Sequence, residues 1–245
     1  MPERSREVKR VAIVQSNYVP WKGYFDLIGR VDEFILLDDV QYTRRDWRNR
    51  NRIKTPDGLL WLTVPVRTRG HFDQSIDEVL VSDPDWAQRH WQTLRHAYGR
   101  APGYQAVAPA LEALYGTCDQ PSLSQVNAHF LRGLCGLLGI STRISRDTPM
   151  PSGTDPTERL VTLCQRAGAT EYLAGPSSWA YLRESAFTQE GIAVTTMRYG
   201  PYPHYSQLHG PFEDCVSVLD VLFHVGTDAP SYVVSQPQLA GAGTP

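Results

Sequence analysis

Residues 11–37 carry the pattern that most narrows what this chain can fold into. An apolar run, VAIV at 11–14, is followed by the polar turn QSNYVP. Helical spacing of Trp21, Phe25, Leu27 and Ile28 then spans 21–30, and a second apolar run follows at 33–37. Two short buried strands around one helix, in under thirty residues, form a β-α-β unit and require a parallel strand pair.

The alternation continues downstream. Residues 85–98, 104–115 and 122–138 each show i, i+3/i+4 apolar spacing, which predicts a helical middle segment over about 85–138. Strands are expected at 142–145, 171–174 and 192–197, with helices at 155–166, 178–187 and 216–223. Asp155-Pro156-Thr157-Glu158 reads as a complete capping box. Residues 59–66 read as a strand, with 76–81 as its pairing partner. The fold class is therefore α/β, an open and mostly parallel sheet with helices on both faces. A single domain over 1–226 accommodates it, and the Pro-, Gly- and Gln-rich 227–245 is expected to be a disordered tail.

Open parallel sheets bind ligands beyond the carboxyl ends of their strands, at a switch in strand order. Three polar clusters fall there: Gln15-Ser16-Asn17, Asp38-Asp39-Val40-Gln41 and Gly175-Pro176-Ser177-Ser178. The last joins strand to helix, where backbone N–H groups suit an anion or serve only as a cap. Asp38 and Asp39 are candidate acceptors for an amine. Their blander role is pairing with Arg44, Arg45 or Arg48. No metal site is assigned, because adjacent carboxylates on extended backbone point apart and hard cations need several convergent oxygens.

Directly after Asp38-Asp39 comes RRDWRNRNRIK at 44–54, with six cations and one anion in eleven residues. This local +5 lies in a chain of net charge −2, so the remainder sums to −7. The segment shows neither helical nor strand periodicity. A solvated loop is the ordinary fate of a charge run. Here Arg44, Arg45, Arg48, Arg50 and Lys54 alternate with Trp47, Asn49 and Asn51 just past a strand end, which favours a clamp on the anionic part of a small-molecule substrate. RNA binding is the competing reading, without an accompanying RNP motif, KH loop or zinc knuckle. His71, in a polar loop after Arg67-Thr68-Arg69-Gly70, is the alternative general base to the aspartates.

Other classes lose support. The four cysteines are widely spaced and without zinc-site pattern, and Cys135 and Cys164 read as buried thiols. P-loop, GxGxxG, GxSxG and HExxH motifs are absent. Nothing in the sequence identifies a cofactor. No apolar run approaches the ~20 residues of a membrane span. The charged N-terminus is unlike a signal peptide, so the expectation is a cytoplasmic protein with no membrane partner.

VAIVQSNYVPWKGYFDLI, continuing through VDEFILLDDVQYTRRDWRNRNRIKTPDG, closely resembles the WbqC-like family. TERL at 157–160, ATEYLAGPS at 169–177, and Tyr205 and Gln207 with SVLDVLF at 217–223 agree, so the likeness runs over roughly 10–226. It draws Tyr18, Trp21, Lys22, Tyr205 and Gln207 into the substrate-binding set. The resemblance implies a protein of O-antigen, surface-glycan or natural-product clusters, one member having been suggested to be a glycine transferase. It thereby implies amide formation, with an aminoacyl group moved onto an amine of a sugar nucleotide or related metabolite. The donor would be a carrier protein or aminoacyl-tRNA. Asp38 or Asp39 would receive the amine, and N–H groups at 175–178 would take developing negative charge. His224 stands where the family more often has Asn. A looser likeness to nucleotidylyltransferases, whose helix opens His-x-Gly-His, fails at Trp21 and Tyr24. Adenylate- or nucleotidyl-forming ligation and non-catalytic binding of a sugar nucleotide or RNA are the alternatives.

Overall fold

Residues 8–146, 150–151 and 153–235 are described by a computed structural model. The first half runs β1 (Arg10–Val14), α1 (Lys22–Gly29), β2 (Glu33–Leu36), β3 (Arg50–Thr55), β4 (Gly58–Thr63), α2 (Trp86–Tyr98), α3 (Tyr104–Gly116) and α4 (Leu123–Leu137). The second runs β5 (Arg143–Arg146), α5 (Pro156–Arg166), β6 (Glu171–Ala174), α6 (Glu184–Gln189), β7 (Ala193–Thr196), α7 (Val218–Val225) and α8 (Ala229–Tyr232).

The expected α/β architecture forms. Five strands make one sheet in the order β5-β2-β1-β6-β7, with every pairing parallel. Strand alternation separates two apolar layers. Ala12, Phe34, Leu36 and Leu173 face α1 and α4, while Val11, Ile13, Ile35, Tyr172 and Ala174 face α5 and Phe187 of α6. Helices thus cover both faces, and the predicted helical middle is α2 to α4.

Four local readings are corrected. The basic segment contains a strand: β3 pairs antiparallel with β4 through the Pro56-Asp57 turn. Its alternation is invisible to hydropathy because Asn51, and not only Ile53, takes an inward position. Residues 76–81 do not form the partner of β4. Ile76–Glu78 is a 3-10 turn, capped reciprocally by Ser75 and Glu78, and the Val66–Val81 bridge is what remains of that pairing.

The helix expected at 178–187 breaks into a 3-10 turn, Pro176–Ala180, and α6. Arg183 sits at the break, its backbone N–H donating to Thr157 Oγ1 and its guanidinium to Asp155 and Glu158. The same contact draws Glu158 away from the capping box. Asp155 still caps α5 by accepting from the Thr157 and Glu158 amides, 2.9 and 3.1 Å away. Finally, part of the stretch expected as a disordered tail is structured. Residues 226–235 form a 3-10 turn and α8, with Ala229 and Val233 buried, and 236–245 lie outside the described residues.

Candidate functional site

Chain order reverses between β1 and β6. These two strands pair at Arg10–Glu171 and Val11–Tyr172 only, whereas β1 and β2 stay paired to Val14 and Leu36. No ladder bond ties the carboxyl ends of β1 and β6, which is the geometry of a switch-point crevice.

The loop leaving β1 is strained and held from outside. Val19, a buried β-branched residue, has φ +36°, a conformation costing on the order of 1–3 kcal/mol. Asn51 Nδ2 donates to the carbonyls of Tyr18 (3.2 Å) and Val19 (3.0 Å), and Ser217 Oγ donates to Val19 O at 2.7 Å. The Tyr18 amide donates to Trp47 O at 3.1 Å. Asn127 Nδ2 reaches both Ser16 Oγ and Arg48 O at 2.9 Å. Asn51 of the basic segment and Asn127 of α4 therefore stitch that segment to the strand-end loop.

Arg48 completes the stitching. Its guanidinium donates to Asn17 Oδ1 and to Gln15 Oε1. Gln15 lines a cleft of about 1060 Å³ with Asp39, Gln41, Asp73, Ser75, Glu78 and Arg159. Asn17 lines a slot of about 210 Å³ with Pro20, Trp21, Trp47, Asn51 and Cys215. One guanidinium thus stands between two cavities.

The two aspartates have separate fates. Asp38 is buried; Oδ1 accepts from the Ser16 amide at 2.8 Å and Oδ2 from Ser124 Oγ. It fastens the β1 and β2 ends together. Asp39 faces the cleft, and its Oδ2 accepts from the Met150 amide (3.1 Å) and pairs with Arg159. Its Oδ1 has no protein partner among the described residues. The expected pairing of these aspartates with Arg44, Arg45 or Arg48 does not occur. Arg159, one turn into α5, is the partner that sequence reasoning missed. Its signal was the TERL motif, read for the family likeness and the helix start but not for a partner of Asp39.

The remaining candidates scatter. Tyr18 is core: its hydroxyl lies 2.9 Å from His90 Nδ1 and 2.9 Å from Tyr115 Oη. Burial holds the His90 ring down to about 4. Asn49 is buried against Val64 O. Lys54 is buried and donates to Gln207 Oε1 and Pro211 O at 2.7 and 2.6 Å. Gln207 and Tyr205 in turn donate to Asp220, each at 2.8 Å. Burial pushes Asp220 upward, but the His224, Tyr205 and Tyr98 hydrogen bonds outweigh it and hold the carboxyl below its usual range. His224 belongs to this buried network and lines neither cavity.

Lys22 is also buried, ion-paired with Asp214 and surrounded by the rings of Tyr202, Tyr205 and Phe212 at 5.1–5.8 Å. Arg44 lies over Phe72, and Arg50 lies 4.1 Å over the Trp61 ring. Arg45, at φ +58°, is exposed. His71 opens onto a neighbouring hollow of about 530 Å³ that shares Asp73 and Glu78 with the cleft. Gly175, Ser177 and Ser178 do not line the cleft, although Tyr181 does. Pro176 has no N–H, and the Ser178 amide is occupied by Gly175 O at 3.0 Å, so that turn offers little to an oxyanion.

Gly23 has a steric role here. A Cβ on it would lie 2.3 Å from the Trp21 indole. Trp21 itself packs on Tyr199 and Tyr202 at 5.3 and 6.0 Å. Cys135 and Cys164 are buried thiols, and burial pushes each up to about 12. Among the described residues no cluster of three His, Cys, Asp or Glu side chains is arranged for a metal, and no helix is long and apolar enough to cross a membrane.

The profile of the WbqC-like protein family matches residues 15–232. The uncharacterized protein Rv1507c of Mycobacterium tuberculosis is 50% identical over 226 residues, 92% of this chain and 98% of its own. No solved structure gives a significant match.

Proposed function

The chain belongs to the WbqC-like protein family, and we propose that it is a transferase moving an aminoacyl group, glycyl being the simplest, onto an amine of a sugar nucleotide or related metabolite. The observation that carries this reading is the Asp39–Arg159 pair at the strand ends. It presents one carboxylate oxygen, without a protein partner among the described residues, to a polar cleft large enough for an amino sugar.

In this scheme the amine hydrogen-bonds Asp39 Oδ1 and attacks the carbonyl carbon of an acyl ester or thioester. The N–C bond forms as the C–O or C–S bond breaks. Asp39 takes the amine proton, and the leaving alcohol or thiol takes a proton in its turn. Such a positioned base contributes about 100-fold or more. Arg159 orients the carboxylate and, with Gln15, lines the path for the substrate's anionic part, while Arg48 holds Gln15 from behind. The donor is an acyl group on a carrier protein's phosphopantetheine or on tRNA. Asp39 is preferred to His71 because the latter opens onto the adjoining hollow.

The test is to incubate the protein with glycyl thioesters or glycyl-tRNA and a panel of amino-sugar nucleotides, and to search by mass spectrometry for one added aminoacyl residue. An amide product without ATP consumption is expected. Release of AMP or pyrophosphate with no dependence on an acyl donor would replace this reading with the adenylate-forming ligase.

A further inference from the structure

We propose that the 210 Å³ slot is a nucleobase site. It takes the base of a single nucleoside diphosphate, whose phosphates run past Arg48 toward the strand-end cleft. This deepens the transfer reading by locating the nucleotide half of the acceptor, and it rests on that reading.

The walls carry the argument. Two of the six lining residues are tryptophans, and each indole is braced by another ring: Trp21 by Tyr199 at 5.3 Å and Trp47 by Trp61 at 5.4 Å. Trp61 is backed in turn by the Arg50 guanidinium at 4.1 Å. Braced aromatic faces stack on any base with little loss of side-chain freedom. Trp47 nevertheless stays 40% exposed at the mouth, an uncovered apolar face beside a cavity.

The floor and rim supply polarity. Asn51 is spent on the Tyr18 and Val19 carbonyls, which makes it a fixed floor. Asn17 Nδ2 has no protein partner among the described residues and supplies a donor for a base carbonyl or ring nitrogen. Arg48 grips Asn17 on one side, and Arg52 donates to the Cys215 carbonyl at 3.0 Å on the other. Both belong to the +5 segment and bring two of its cations beside the slot, where a diphosphate would lie, with Asp46 3.7 Å from Arg48. The volume is below the ~300–1,000 Å³ of drug-sized sites and fits one ring system and not a stacked strand.

Cys215 is an exposed cysteine in the slot wall, while Cys135 and Cys164 are buried and Cys118 is partly so. Its rate of alkylation by iodoacetamide in the full chain, followed by peptide mass spectrometry, reports occupancy without turnover. The ligands are nucleoside 5′-diphosphates of each base, ribose 5-phosphate, inorganic diphosphate and a short single-stranded RNA. A saturating nucleoside diphosphate should slow labelling at least about tenfold, and Trp47→Ala should raise the protecting concentration about tenfold, with Trp47→Phe close to wild type. Equal protection by inorganic diphosphate or ribose 5-phosphate, unchanged protection in Trp47→Ala, or protection by RNA alone would overturn the assignment, the last in favour of a strand-binding platform. Acyl transfer without nucleotide protection sinks the slot and leaves the reaction standing. Protection without transfer does the reverse.

Discussion

Arg159 reaches from one turn into α5 to the carboxylate of Asp39 beyond β2, and takes only one of its two oxygens. Asp38, the adjacent residue, has both oxygens occupied inside the protein. Adjacent carboxylates on extended backbone point to opposite sides, and here that difference separates a residue facing the cleft from one holding the scaffold.

Substitution should separate them. Asp39→Asn is expected to lower kcat for aminoacyl transfer about 100-fold or more with little change in Tm. Asp38→Asn should instead cost about 1–3 kcal/mol of stability, since a buried acceptor set is broken. Paired kinetics and thermal unfolding decide it; a stable but inactive Asp38→Asn beside an active Asp39→Asn would reverse the roles.

Arg48 and Arg50 lie two residues apart in β3 and its approach, yet only Arg48 touches the strand-end loop. Arg48→Lys cannot hold Gln15 and Asn17 together, because an ammonium lacks the planar fork. KM for the anionic substrate should rise about tenfold or more, while Arg50→Ala, which removes only the backing of Trp61, should raise it less, by about threefold. Steady-state kinetics on the two variants measure the contrast.

His90 links stability to acidity. Buried beside Tyr18, it has its pKa lowered from 6.5 to about 4 in the fold. The unfolded chain binds that proton first as pH falls, so the stabilising share of neutral His90 is full above 6.5 and is lost progressively toward 4. The loss amounts to about 3 kcal/mol across that window. His90→Gln should flatten the slope of unfolding free energy against pH there, and an unchanged slope would reject the assignment.

Asp220 acts through hydrogen bonds more than through titration. It accepts from Tyr98, Tyr205 and Gln207, each at 2.8 Å, with the His224 ring 3.3 Å away. Asp220→Asn turns one acceptor toward these donors as an N–H and should cost about 3 kcal/mol or more. Its carboxyl pKa is lowered in the fold, so its stabilisation is present above the ordinary carboxylate range and is lost as pH falls through the folded value. Chemical denaturation of wild type and variant at neutral and acid pH reads both effects.

Much of this was legible in the residues, and the failures share a cause. The β-α-β start, the capped α5 and the buried strand β6 all rest on local spacing, which hydropathy reports directly. β3 was missed because its inward Asn51 is polar, and its reason for facing inward is the distant Val19 carbonyl. Tyr205, Gln207 and Lys54 looked like ligand contacts because buried polar networks and binding sites draw on the same residue types. Only their partners, Asp220 and Pro211, distinguish the two. Arg159 was missed for the opposite reason: the partner that gives it meaning lies 120 residues earlier.

The Arg48 guanidinium, gripping Gln15 on the cleft side and Asn17 on the slot side, makes the two chambers mechanically dependent. On the proposed reading of both chambers, a ligand that pulls Arg48 toward itself in one should re-aim the amide of the other. Filling either chamber should then change the affinity of its neighbour, by the same factor in both directions.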